Sequence, residues 1–390
     1  VQKQSQLEIF CGTGGVGKTT LSCARALYHA KLDKTVLLMT IDPSQRLKDF
    51  FQHEVIHDSN VAERKITTLW QGKQFDLMLF SPERTYQHIV TRQHKNILFE
   101  QNHILKMIFR REGGMNEVMA LLELHEQIKL GIYDVIILDT APGQHFIDFL
   151  INCEKIKRFF NQTFMEIIFS FSKKNDANDS SSPLASKQRF SFKKPFETMM
   201  KKVVENSLSK LLRYLNMLTG EGFVHIFVNS VEQIYLLKND FIDSLNLIPY
   251  IQNKEQSHWF LVLSAEQSKK ELALKMYAQI KKMIQHDAHI VVNKSWLKYW
   301  EQWEKESSSY QLPNEVLKQE FEEFKQWQKL ISQREKILIS DLKNLFKKMI
   351  LFPEVVSSDL QTQIEELMND WMLLGPLDGL HKEENKMRSQ

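Results

Sequence analysis

With 390 residues, 43% of them hydrophobic and 25% charged, the chain has an ordinary globular composition and length for one large α/β domain with an insertion or two domains sharing a core. No apolar run approaches the roughly 18 residues of a spanning helix, and the polar start at 1–7 leads straight into a strand-like run, so neither a membrane-embedded fold nor a secretory leader is expected. A net charge of +3 is too small to argue for a nucleic-acid partner, and the expected location is the cytoplasm.

In chain order, residues 7–11 form a short apolar run ending in glycines, and 18–31 carry helix-compatible residues, which predicts strand, phosphate loop, helix. A second buried strand is expected at 35–41. A third, at 132–138, is nearly continuous Ile, Val and Leu and is followed at once by Asp139. Residues 172–195, rich in Lys, Asn, Asp, Ser and Pro, predict a mobile loop. Two amphipathic patterns follow: Phe196, Met200, Val203, Leu208, Leu211, Leu215 and Leu218, then Phe223, Phe227, Val231, Ile234, Phe241 and Leu245. Strands are expected at 260–264 and 289–293, with a helix at 267–285 between them. A long charged helix is expected at about 314–345. This alternation predicts a mostly parallel sheet with helices on both faces. The nucleotide-binding core is expected at 1–150, 256–300 and 346–390, an inserted helical lobe at 151–255, and a helix packed on the core at 301–345.

The strongest motif is Gly12, Thr13, Gly14, Gly15, Val16, Gly17, Lys18 and Thr19, which satisfies G-x-x-x-x-G-K-[ST] between a predicted strand and helix. Glycines let the backbone wrap a phosphate chain, and successive N–H groups at the helix start, through Thr20, meet its negative charge. Lys18 is expected at the β/γ-phosphates of ATP and the Thr19 hydroxyl on Mg²⁺. Asp42, after the second strand, is expected to orient the attacking water and to belong to the metal shell. Asp139, after the third, is expected to hold the Mg²⁺ shell.

Three strings, "CGTGGVGKTTLSCARAL", "LLMTIDPSQRL" and "IILDTAPGQHFIDFL", resemble the ATPase family of the arsenite pump and the tail-anchored-protein targeting ATPase, nearest its bacterial anion-transporting branch. The resemblance continues through "FLVLSAEQ", "IVVNKSW" and "LFPEVVSSDLQTQIEEL". It implies a P-loop NTPase fold, Asp42 in switch I, a switch II from Asp139 through Pro142 to His145, Asn293 on adenine, and Pro353 in a loop bordering the base. It also implies a nucleotide-gated homodimer with a hydrophobic protein segment, a membrane-associated partner, or an anion or metalloid as client. The chain departs from the family at Thr13, which stands where a second Lys reaches the partner's phosphates. Arg46, within switch I, is the best-placed substitute cation. There is no C-x-x-C pair for an intersubunit zinc, and only one phosphate loop.

Other signals point to ordinary structure. Cys11, Cys23 and Cys153 fit neither a disulfide framework nor a metal pair and are expected as core thiols. His53 to His57 match H-E-x-x-H, but Val-Ile is a poor helix centre and a turn follows. Trp296, Trp300 and Trp303 share a helical face and are expected to pack into the core. Lys193, Lys194, Lys201 and Lys202 are expected as a solvated edge. The sequence reads as an ATP-driven switch with a client-binding helical lobe; a nucleotide-loaded scaffold with slow or no hydrolysis is the alternative.

Overall fold

The computed structural model describes residues 4–41, 66–70, 72–93, 102–110, 115–159, 221–307 and 315–375. The opening apolar run becomes β1 (Gln6–Gly12), and its backbone turns through five residues into α1 (Lys18–Lys31). Then come β2 (Val36–Thr40), a hairpin of β3 (Ile66–Trp70) and β4 (Lys73–Leu79), and β5 (Val135–Asp139). The last third adds β6 (Ser257–Ser264), β7 (His289–Ser295) and β8 (Met349–Pro353).

Among the described residues eight strands form one sheet in the order β3-β4-β2-β5-β1-β6-β7-β8. Seven run parallel, and only β3, at the edge, is antiparallel to its neighbour. Parallel strands covered on both faces must be apolar throughout rather than alternating, and every residue of β2, β5 and β6 is buried. β1 sits in the middle, with Phe10 opposite Asp139 on β5 and opposite Phe260 on β6. All three expected strand-end segments therefore emerge at one edge of the sheet, where ligands of such folds bind.

On one face α1 packs against α12 (Leu360–Leu374), and their core gathers Phe10, Phe260, Phe352 and Trp371. The Phe10 and Phe260 rings stack at 4.6 Å, and Trp371 meets both edge-on. Asp359 caps α12 by accepting from Thr362 N at 2.8 Å, and Gly375 ends it at φ +67°. Helix α9 (Gln267–Met283) packs on β6. The helix expected at about 314–345 is one 31-residue element, α11 (Glu315–Leu345), preceded by α10 (Leu297–Ser307). The tryptophan stripe of α10 does not enter the core as expected. Trp296 is 40% exposed, and Trp303 packs against Phe321 and Phe324 of α11. The aromatic face joins two surface helices because both are charged on their remaining sides.

The chain divides into two compact units. One comprises 1–80, 125–148 and 247–390 and contains the sheet and the short α8 (Leu247–Gln252); the other comprises 81–124 and 149–246. Among the described residues the second is helical: α2 (Pro82–Arg92), α3 (His103–Ile108), most of α4 (Asn116–Leu130) and α5 (His145–Phe159), α6 (Glu221–Tyr235) and α7 (Lys238–Ser244). Ser81 and Pro82 start α2 as an N-cap and N1 pair. Tyr86 stacks near Phe109 at 4.5 Å and donates to Gln233 Oε1 at 2.9 Å, while Thr85 donates to Glu123 at 2.8 Å. Val231, Ile234 and Phe241 of the second amphipathic pattern are buried, and Phe227 is half-buried. The first pattern, the 172–195 segment, the four lysines and the H-E-x-x-H match lie outside the described residues.

Candidate nucleotide site

Gly12 closes β1 where an added Cβ would lie 2.1 Å from Val262 O, so only glycine allows β1 and β6 to approach so closely. Gly15 (φ +75°) and Gly17 (φ +83°) then take the left-handed backbone that winds the loop. Asn293, near the end of β7, donates from Nδ2 to Val16 O at 2.9 Å and lies where a Cβ on Gly17 would stand 2.5 Å away. The loop is thus braced from the neighbouring strand.

Lys18, the first residue of α1, is buried and folds its ammonium over the loop, donating to Thr13 O at 2.9 Å and Gly12 O at 3.3 Å. These carbonyls hold a charge that would otherwise be costly to bury. The first turn of α1 carries no acid and no side-chain cap, which leaves its N–H dipoles for an anion. Thr13 is itself buried, and its hydroxyl has no hydrogen-bond partner among the described residues.

At the end of β5, Asp139 Oδ2 accepts from two hydroxyls, Thr19 Oγ1 at 2.7 Å and Thr40 Oγ1 at 2.9 Å. The segment beyond is tied back to β1. Thr140 N and Oγ1 both donate to Phe10 O at 3.0 Å, and Gly143 N donates to Gly12 O at 3.1 Å. Pro142 comes within 3.8 Å of a Cβ built on Gly14, and His145 opens α5, exposed.

Beside the loop lies a cavity of about 300 Å³ whose lining includes Gly15, Gly17, Thr20, Asn293, Pro353 and Leu367. Asn293 and Pro353, distant in sequence from the glycines, thus share one cavity with them. A larger cavity of about 860 Å³, lined by Trp296, Ile331, Arg334 and Leu338 among others, shares Lys294 and Glu354 with the first. Asp42 and Arg46 lie outside the described residues. The sequence reading missed Thr40 and Lys294; a hydroxyl two residues before Asp42 and a cation directly after Asn293 were the available signals.

Beneath the loop the core carries buried charge. Arg25 donates to both oxygens of Glu8, at 2.9 and 2.8 Å, and His29 Nε2 lies 3.0 Å from Glu8 Oε1. Burial would raise the Glu8 pKa, but Arg25 and His29 hold it well below the usual carboxylate range. Burial keeps the His29 pKa low despite Glu8, so the charge facing Glu8 at neutral pH is Arg25. Arg25 also lies over the Trp371 ring, 4.6 Å from its centroid. His289 is pushed down to about 3 by burial and by nearby Lys348 and His258. All three cysteines are buried thiols, and burial pushes Cys11 up to about 12.

A glycine loop between a central parallel strand and a helix, with Lys-Thr at the helix start and a carboxylate on the adjacent strand, defines the P-loop nucleotide-binding class. Residues 6–186 match the family described as anion-transporting ATPase. Over that stretch, a little under half of its length, the chain is similar to the anion-transporting ATPase family. It is 27% identical over 330 residues to the "ATPase ASNA1 homolog" of Plasmodium falciparum, covering 75% of this chain and 82% of the relative. It is 32% identical over 143 residues to "ATPase GET3" of Podospora anserina, covering 36% and 40%. The P. falciparum match thus spans most of that relative, whereas the P. anserina match spans well under half.

Proposed function

We propose that the chain is a Mg²⁺-dependent ATPase that binds ATP along the glycine loop and in the adjoining cavity. The observation carrying this reading is the convergence of Thr19 and Thr40 on Asp139 beside Lys18. A hydroxyl and a carboxylate are hard oxygen donors of the kind Mg²⁺ takes alongside phosphate, so the donor set fits the ion. Thr19 and Asp139 would hold it, with Asp42 as a further member by family resemblance. When bound, the ion would neutralise charge on the transferring phosphoryl group.

The chain's own groups supply the rest. Lys18 exchanges two carbonyl acceptors for phosphate oxygens, and the loop N–H groups meet the remaining charge. Asp42 orients the water. The buried Thr13 carries no cation for a partner subunit, so Arg46 is the proposed cation at the phosphoryl group. A homodimer is proposed on family resemblance. The proposed client is an apolar segment of another protein or, following the family's description, an anion; it would engage the helical unit in one nucleotide state.

The test is steady-state phosphate release by the purified chain with and without Mg²⁺, together with ATP titration of Lys18→Ala. Mg²⁺-dependent turnover and loss of binding in the variant are expected, because the charge on the β/γ-phosphates is gone. Tight ATP binding without turnover would support the scaffold reading, and unchanged affinity in Lys18→Ala would end the phosphate-loop assignment.

A further inference from the structure

Lys294 has a backbone that its side chain does not favour. Its φ is +62°, and besides Asp33 it is the only non-glycine with positive φ among the described residues. The cause lies in the sheet. Val292 pairs with Leu351 but Ser295 pairs with Pro353, so β7 spends one residue more than β8 and bulges at 293–294. The bulge is pinned by Glu354 N donating to Ser295 O at 2.9 Å. It turns two adjacent side chains to one target: Asn293 is buried against Val16 O, while Lys294 is exposed and its Cε lies 3.8 Å from a Cβ built on Gly17.

A glycine would satisfy this backbone without strain, so a long cation held here is a candidate for use in the site. Among the described residues Lys294 is the one cation lining the smaller cavity, with Glu354 on the same wall. Its position at the rim separates it from Lys18, which is buried inside the loop.

We propose that Lys294 is a nucleotide-contacting residue, its methylene stem walling the base and ribose part of the cavity and its ammonium adding a second cation at the Gly17 rim of the phosphate loop. The inference rests on the nucleotide reading above. It names a source of charge within this chain, in a loop whose Thr13 supplies none.

Titrations with ATP and with adenosine, on the full chain and four variants, test it. Lys294→Met keeps most of the stem and removes the charge, so ATP affinity is expected to fall about tenfold, or about 1.4 kcal/mol, with adenosine affinity unchanged. Lys294→Gly removes both and should weaken both ligands, while its thermal midpoint holds or rises because glycine accepts the positive φ. Lys294→Arg should restore ATP affinity to within about twofold of wild type. Lys18→Ala serves as the control for the nucleotide reading. If Lys18→Ala loses ATP but Lys294→Met and Lys294→Gly bind both ligands like wild type, Lys294 is only a solvated side chain and the inference falls alone. If the wild-type chain binds no ATP, the nucleotide reading falls and takes this inference with it.

Discussion

Gly12 and Gly15 belong to one loop but are glycine for different reasons. A Cβ at Gly12 would collide with backbone at 2.1 Å, whereas one at Gly15 meets nothing within 4 Å and suffers only from φ +75°. Gly12→Ala should therefore cost a backbone shift of about 1–3 kcal/mol besides its conformational penalty. Gly15→Ala should cost about 1–2 kcal/mol in all. Urea midpoints at unchanged m-value check the difference, and equal losses would refute it. The buried histidines make a second residue-scale prediction. His29 and His289 have folded pKa values below their ordinary 6.5, His289 at about 3, so between those limits the unfolded chain binds more protons and stability falls with pH. The slope is at most about 1.4 kcal/mol per pH unit for each group. Glu8, depressed when folded, contributes stability above its unfolded pKa that is lost only at still lower pH, as it protonates in the folded state. Denaturation midpoints between pH 7.5 and 5 should decline, and less steeply in His289→Gln. The glycine pattern was legible because a phosphate loop is a local sequence problem. Lys294 was not, because the bulge that aims it arises from pairing with β8.

At the scale of elements, α10 depends on a neighbour for its start. Glu335 of α11 is buried and accepts from Trp296 N at 3.0 Å, just ahead of the helix. Burial raises its pKa, while hydrogen bonds from Ser295 and the Trp296 and Leu297 amides pull the other way. Glu335→Leu leaves the Trp296 amide without its acceptor and should cost about 1–3 kcal/mol, with faster hydrogen exchange at 296–300. Glu335→Gln, which keeps an acceptor, should cost less; equal exchange in the two variants would show that the cap is dispensable. The central strands were readable as continuous apolar runs. The edge hairpin was not, since β4 mixes exposed, half-buried and buried positions, and β8 is only five residues long. The participation of 81–124 in the helical unit was equally hidden. It depends on partners such as Tyr86 and Gln233, 147 residues apart, which no local periodicity reports.

At the scale of the molecule, the sheet order ties distant parts of the chain together. β1 lies between β5 and β6, so the stretch that matches the family, 6–186, includes β1 to β5 but not β6, β7, β8 or α12. An excised 1–186 fragment would leave residues 7–12 as an unpaired edge and α1 without Trp371. Such an edge is a template for aggregation. Light scattering should detect aggregates from the fragment alone, and fewer when residues 247–390 are coexpressed; a soluble, cooperatively melting fragment would contradict this. The same order sets a timetable during synthesis. The strand that carries the phosphate loop is made well before its second neighbour, which begins at Ser257, about 250 residues later. At roughly 5–20 residues per second the ribosome needs on the order of 10–50 s to deliver it. Until then the nascent chain holds its phosphate-loop strand half-paired, so productive folding of this chain should depend on protection at the ribosome more than on the stability of the finished fold.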